Sequence, residues 1–116
     1  MRAAKKIHQL GPRHVIVKKG EHGAILSSGG KLFLSPAFPL DRVVDPTGAG
    51  DSFAGGMMGF LAASRGPVEA NLRRAMVYGS AVASFCCEGF GLAATTRASR
   101  AAIEERVGAM RLLTRF

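Results

Sequence analysis

Between positions 45 and 56 the chain reads DPTGAGDSFAGG, two carboxylates separated by a Gly-Ala-Gly turn. Glycines at 48 and 50 let the backbone turn tightly and present its amides. A helical pattern follows, and a helix start adds unpaired N–H groups and the positive end of a dipole. The place suits an anion, yet the negative Asp51 sits in it. Phosphoryl transfer makes sense of that juxtaposition. The amides of Gly48, Ala49 and Gly50 can stabilise charge on a transferring phosphoryl group while Asp51 accepts the proton of an attacking hydroxyl. Each donor in such a hole is worth about 3 kcal/mol in the transition state, and a positioned base about 10²- to 10⁴-fold in rate. The plainer alternative is that Asp51 caps the helix it opens, a common role for Asp. Spacing alone leaves both open.

Two familiar phosphate motifs are absent. No Gly-Lys-Ser/Thr occurs, so there is no Walker A loop. Phe53 stands where the dinucleotide fingerprint G-x-G-x-x-G needs its third glycine. His8, His14 and His22 are at no metal-ligand spacing and read as surface or turn residues. Ser52 is a candidate helix cap and no nucleophile, because no histidine is placed to activate it. Cys86 and Cys87 are neighbours, which excludes a disulfide framework and points to free thiols in a reducing compartment.

The elements that must position the turn are legible in outline. Residues 1–10 carry Ala4, Ile7 and Leu10 on one helical face, stopped by Gly11-Pro12. Val15 to Val17 is a short apolar run, read as a strand buried on both faces. KKGEHG is a turn. Ala24 to Ser28 and Leu32 to Ser35 form a hairpin, and Val43-Val44 is a further brief strand. Helical spacing then returns with Phe53, Met57, Phe60 and Leu61. A second helix, roughly 68–86, turns Leu72, Ala75, Met76, Gly79, Val82, Ala83 and Cys86 inward. Both are rich in small residues, so they need tight packing to be stable. Met57, Met58 and Met76 read as core filler. A final helix spans about 97–113, with Glu104 and Glu105 early and Arg111 and Arg115 late, complementing its dipole.

Composition narrows the classes. The 116 residues are 47% hydrophobic and 21% charged, a globular balance, and the net charge of +8 admits an anionic partner. The basic residues are dispersed, with only Lys5-Lys6, Lys18-Lys19 and Arg73-Arg74 adjacent, and one Tyr and no Trp leave few stacking platforms. Nucleic acid is therefore a minor expectation. No secretion signal and no run of about 18 apolar residues is visible, so the chain reads as cytoplasmic, with no membrane partner.

"VVDPTGAGDSFAGGMMGFLA" resembles the second signature of the PfkB/ribokinase family of sugar and nucleoside kinases. The match runs upstream through "VIVKKGEHGAIL" and downstream to "ASFCCEGFG". The resemblance implies an α/β fold, the C-terminal portion of a three-layer ribokinase-like sheet. It also implies an ATP-dependent phosphotransferase using Mg²⁺, with a sugar or nucleoside alcohol as acceptor. On it, Asp51 is the catalytic base and Gly48, Ala49 and Gly50 the anion hole. Gly20 and Gly23 approach the nucleotide phosphates, and Lys18 stands where relatives often place a small polar residue. The stretch from Val82 to Gly91, with Phe85 and Gly89, is the wall against which adenine packs. A monovalent cation such as potassium is implied at Asp45 and Thr47, with Ser84, Cys87 and Gly89 as weaker matches and Ala93 where some members carry a serine.

Relatives also carry an N-terminal part with a lid and most acceptor contacts, which these 116 residues do not match. The expectation is one partial domain over residues 1–116, limited by itself to nucleotide binding, with an N-terminal partner chain supplying the rest or a homo-oligomer covering the strand Val15 to Val17, which lacks sheet neighbours. An interaction or regulatory module that kept the fold and lost the chemistry is the alternative.

Overall fold

The computed structural model describes residues 2–115. Helix α1 (Arg2–Gln9) leads to strand β1 (His14–Lys18), a single 3₁₀ turn at Gly20–His22, and strands β2 (Ala24–Ser28) and β3 (Lys31–Ser35). Helices α2 (Ala49–Ala63), α3 (Val68–Cys87) and α4 (Arg100–Leu113) follow, with a 3₁₀ turn at Thr95–Arg97 before the last. No described helix is long and apolar enough to cross a membrane.

The three strands form one antiparallel sheet in the order β1-β2-β3. Register places Leu26 opposite both Ile16 and Phe33, and Val15 and Leu32 opposite Ser27. Because alternate residues point to opposite faces, Ile16, Leu26 and Phe33 form one rung. They pack with Ala24 against Phe53 of α2 and Leu72 and Met76 of α3, the main core. On the opposite face α1 lies over the sheet, where His8 Nε2 meets Ser27 Oγ at 2.9 Å and Ala4 is buried. The layers are thus α1, the sheet, and α2 with α3. Helix α4 adds a second cluster, in which Val107 and Met110 pack on Ala81 of α3.

Helices α2 and α3 approach closely because glycines face each other's side chains. A Cβ on Gly56 would lie 2.8 Å from Val82, and one on Gly79 would lie 2.7 Å from the Phe53 carbonyl. The small residues that weaken each helix in isolation are what allow the pair to interdigitate.

Several expectations need correction. Val43 and Val44 form no strand; Val44 N–H instead donates to the Cys87 carbonyl at the end of α3, at 2.8 Å. The β1 run is not buried on both faces: only Val15 is buried, while Ile16 and Val17 are half-buried. Of the α1 face only Ala4 is buried, and Leu10 is 83% exposed. Met58 points to solvent, unlike Met76. The last helix begins at Arg100, after Ser99, whose hydroxyl accepts the Ala102 amide at 3.1 Å, so Glu104 and Glu105 fall in its second turn. His8 and His14 are half-buried and bonded, His14 Nδ1 to Ser28 Oγ at 2.8 Å; only His22 is exposed.

Candidate functional site

Gly48 has φ of +82°, a conformation that side chains resist, and it is the residue from which α2 starts. Its carbonyl accepts the first helical bond, from Ser52 N–H at 2.9 Å. No side chain caps this helix. The capping role considered for Asp51 and for Ser52 is therefore not taken: both lie inside the first turn. Asp51 is exposed there and makes no side-chain hydrogen bond or ion pair among the described residues. Ala49 N–H donates to the Pro46 carbonyl at 3.1 Å, so of the first-turn amides those of Gly50 and Asp51 are left without a protein acceptor, at an end where the dipole favours negative charge.

The turn is tied down from behind. Asp45 Oδ1 accepts the Thr47 amide at 2.9 Å, which holds the Asp45 carboxyl below its ordinary value. The Cys87 carbonyl accepts both Val44 N–H at 2.8 Å and Asp45 N–H at 3.3 Å. Cys86 Sγ donates to the Thr47 carbonyl at 3.2 Å. Adjacent cysteines at the end of α3 therefore serve as a backbone acceptor and a thiol donor for the segment before the glycines. Burial, with the charges of Asp45 and Glu88 nearby, pushes the Cys87 thiol up.

From the sheet side, Lys18 at the end of β1 donates from Nζ to the Gly50 carbonyl at 3.1 Å. The Gly20–Gly23 turn beside it depends on its glycines: Gly20 has φ of +57° and Gly23 of +81°. A Cβ on Gly23 would sit 2.1 Å from the Ser35 carbonyl, so no other residue fits. The chain here bends directly over the end of β3.

Between these parts lies a cleft of about 530 Å³. Lys18, Gly20, Gly23, Ala49 and Gly50 line it, as does Phe53 beneath them. Its apolar walls come from Phe38, Leu40 and Val43 of the loop after β3 and from Ala83, Ser84 and Cys87 of α3. The volume is that of a small-molecule site, largely apolar with a few convergent polar groups. Gly48 and Asp51 flank the lining rather than belong to it.

Four positions expected at a base-binding wall do not line this cleft. Val82 packs against Gly56 between α2 and α3. Phe85 lies under the Arg106 guanidinium, 3.5 Å from ring centroid to Cζ. Gly89 abuts Ala94, and Gly91 forms an exposed turn with φ of +56°. The α3 face that does reach the cleft is Ser80, Ala83, Ser84 and Cys87. Their i, i+3, i+4, i+7 spacing is visible in the sequence, as a polar-flecked small-residue stripe. The loop residues Phe38 and Leu40 carried no such signal.

Several of the groups implied for a monovalent cation are already engaged by the chain's own donors. Both lone pairs of the Cys87 carbonyl are taken by amides, the Thr47 carbonyl holds a thiol, and Ser84 Oγ receives a guanidinium N–H from Arg106 at 2.6 Å. Ala93 offers no hydroxyl. Among the described residues no group of three His, Cys, Asp or Glu side chains is placed to hold a metal.

The same architecture occurs in solved kinases. Fructokinase from Vibrio cholerae superposes with a TM-score of 0.81 at 20% identity, covering 91% of this chain and 34% of that one. Aminoimidazole riboside kinase from Salmonella enterica, solved with aminoimidazole riboside and an ATP analogue, gives 0.79 at 28% identity, covering 91% and 35%. In sequence, a cytidine kinase from Thermococcus kodakarensis is 38% identical over 73 residues, 61% of this chain and 26% of that protein. The chain thus spans about a quarter of that curated relative and a third of the solved structures. The pfkB family carbohydrate kinase model matches residues 1–98. With the glycine turn, the helix start and the cleft on one surface of a ribokinase-like fold, the chain belongs to the pfkB family of carbohydrate kinases.

Proposed function

We propose that this chain forms the nucleotide half of an ATP-dependent kinase that transfers the γ-phosphoryl group to an alcohol of a sugar or nucleoside. One observation carries the reading: Gly48, in a left-handed conformation, starts a helix whose first-turn amides have no side-chain cap, beside a cleft that Lys18 and Gly50 line. The amides and one ammonium, offset in part by the Glu21 carboxylate that also lines the cleft, support an anion there, the kind of arrangement phosphoryl transfer uses to stabilise its transition state.

In this reading the amides of Gly48 and Gly50 receive the developing charge, the Ala49 N–H being held by the Pro46 carbonyl, and the Lys18 ammonium offsets more of it. Asp51, exposed and unpaired, accepts the proton of the attacking hydroxyl. Gly20 and Gly23 let the backbone approach the nucleotide phosphates, and Phe38, Leu40, Val43 and Ala83 exclude water from the base. Mg²⁺ would ride on the phosphates, as it commonly does, and neutralise their charge. The names of several relatives, cytidine kinase, nucleoside kinase and ribokinase, support acceptors of the nucleoside and sugar class.

Calorimetric titration with Mg·ADP tests this. The wild-type chain and Asp51→Asn are expected to bind, because Asp51 acts on the acceptor. Gly50→Val is expected not to bind, since its side chain enters the cleft beside the Lys18 ammonium, 3.0 Å from where a Cβ would stand. Failure of the folded wild-type chain to bind would overturn the reading, in favour of a fold retained for interaction.

A further inference from the structure

We infer that Arg106 of α4 is a positioning residue that sets the shape of the cleft's base-binding wall. The inference rests on the nucleotide reading above, and it concerns a helix beyond the residues 1–98 that the family model matches.

The cleft wall is made by two segments far apart in sequence, the loop holding Phe38 and the last turns of α3. Arg106 touches both. Its guanidinium stacks 3.5 Å from the Phe85 ring centroid and 4.9 Å from that of Phe38. Nη1 donates to Ser84 Oγ at 2.6 Å, and Nη2 donates to Glu88 Oε2 at 2.5 Å. The side chain is only 16% exposed, so the charge is largely withdrawn from water and bound to its partners.

The bond to Ser84 has a chemical consequence. Ser84 Oγ gives its single hydrogen to the Ala81 carbonyl at 2.6 Å while accepting from Arg106. A hydroxyl has one hydrogen. Ser84 therefore presents no donor to the cleft, and the wall it shares with Ala83 and Phe38 stays apolar, suited to the flat face of a base. Without Arg106 the Ser84 oxygen loses its donor and is left with the Ala81 carbonyl alone, and the Phe38 ring loses the guanidinium stacked on it, keeping only its packing on the α3–α4 cluster.

The test compares two ligands on the 1–116 chain. Mg·ADP engages the wall and the phosphate turn; Mg·pyrophosphate engages only the turn. Arg106→Ala is expected to bind ADP about tenfold more weakly, the size of one lost charge-assisted hydrogen bond, and pyrophosphate as wild type does. Arg106→Lys, which keeps the charge without the planar fork, falls between. Equal loss for both ligands would mean a merely structural role and overturn the inference, as would no loss for either. A readout without nucleotide separates this from the parent reading: the Cys87 thiol, which lines the same wall, should alkylate faster in Arg106→Ala or, where that variant does not fold, in Arg106→Lys. A wild-type chain that binds neither ligand sinks the nucleotide reading; unchanged Cys87 alkylation sinks the positioning role alone.

Discussion

The Lys18 ammonium and the Gly50 carbonyl, 32 residues apart in sequence, are joined by a hydrogen bond of 3.1 Å. This bond links the end of β1 to the glycine turn and brings the one lysine of the cleft lining beside the start of α2. Lys18 is exposed, so the bond contributes little to stability. Its value lies in where it holds the charge. Lys18→Met is therefore expected to leave the melting temperature within a degree or two while weakening Mg·ADP binding by about tenfold, the worth of one charge-assisted contact to phosphate. The salt dependence of binding should fall as well. Calorimetry at two ionic strengths checks both.

Gly48 must hold φ of +82° for α2 to start where it does. Gly48→Ala forces a side chain into that conformation at a cost of about 1–2 kcal/mol. A urea titration should show that loss, and binding of Mg·pyrophosphate should weaken with it. A Cβ at Gly48 would meet only Cys86 Sγ, at 3.6 Å, so backbone strain rather than a clash is the cause.

Glycines within α2 and α3 should separate into two classes. Gly79→Ala places a methyl 2.7 Å from the Phe53 carbonyl and should destabilise by about 1–3 kcal/mol through overpacking. Gly59→Ala, with nothing within 4 Å of the added carbon, should stabilise by about 0.5–1 kcal/mol through helix propensity. Chemical denaturation of the two variants side by side decides whether α2 and α3 pack as described.

Burial raises the Cys87 thiol, so its alkylation should be slow near neutral pH and rise with a midpoint above that of a free cysteine. Because Cys87 lines the cleft, saturating Mg·ADP should slow the reaction further. Mass spectrometry of iodoacetamide-treated protein reports the site. Labelling unaffected by nucleotide would place the ligand elsewhere.

Acid should loosen the segment before the turn. The Thr47 amide, donating to Asp45, lowers the Asp45 carboxyl in the folded chain. A depressed folded pKa gives stability that is present above the unfolded value and is lost as pH falls through the folded one. Asp45→Asn can still accept the Thr47 amide but no longer titrates. Its stability should therefore fall less steeply than wild type's on the acid side, as thermal melts across the range below about pH 4 would show.

Much of this was already decided in the residues. The Gly-Ala-Gly turn before a helical pattern announced where α2 starts, because only glycine readily tolerates such a bend, and a helix start leaves amides such as that of Gly50 without an intrahelical partner. The alternation around Ser28-Gly29-Gly30-Lys31 gave the hairpin, and small residues at helical spacing gave the close pair α2 and α3. The tertiary structure decided what depends on contacts far apart in sequence. Whether Asp51 capped a helix or stood free depended on where α2 began, and Gly48 took that place. Val43 and Val44 form no strand, and Val44 N–H pairs instead with the Cys87 carbonyl, a partner 43 residues on that no local pattern could reveal. Phe85 left the expected wall for Arg106, a residue 21 positions on, since a guanidinium shielded from water needs a ring and oxygens around it. Local periodicity can choose an element and its buried face, but which side chain fills a cleft is settled by what the next helix presses against it.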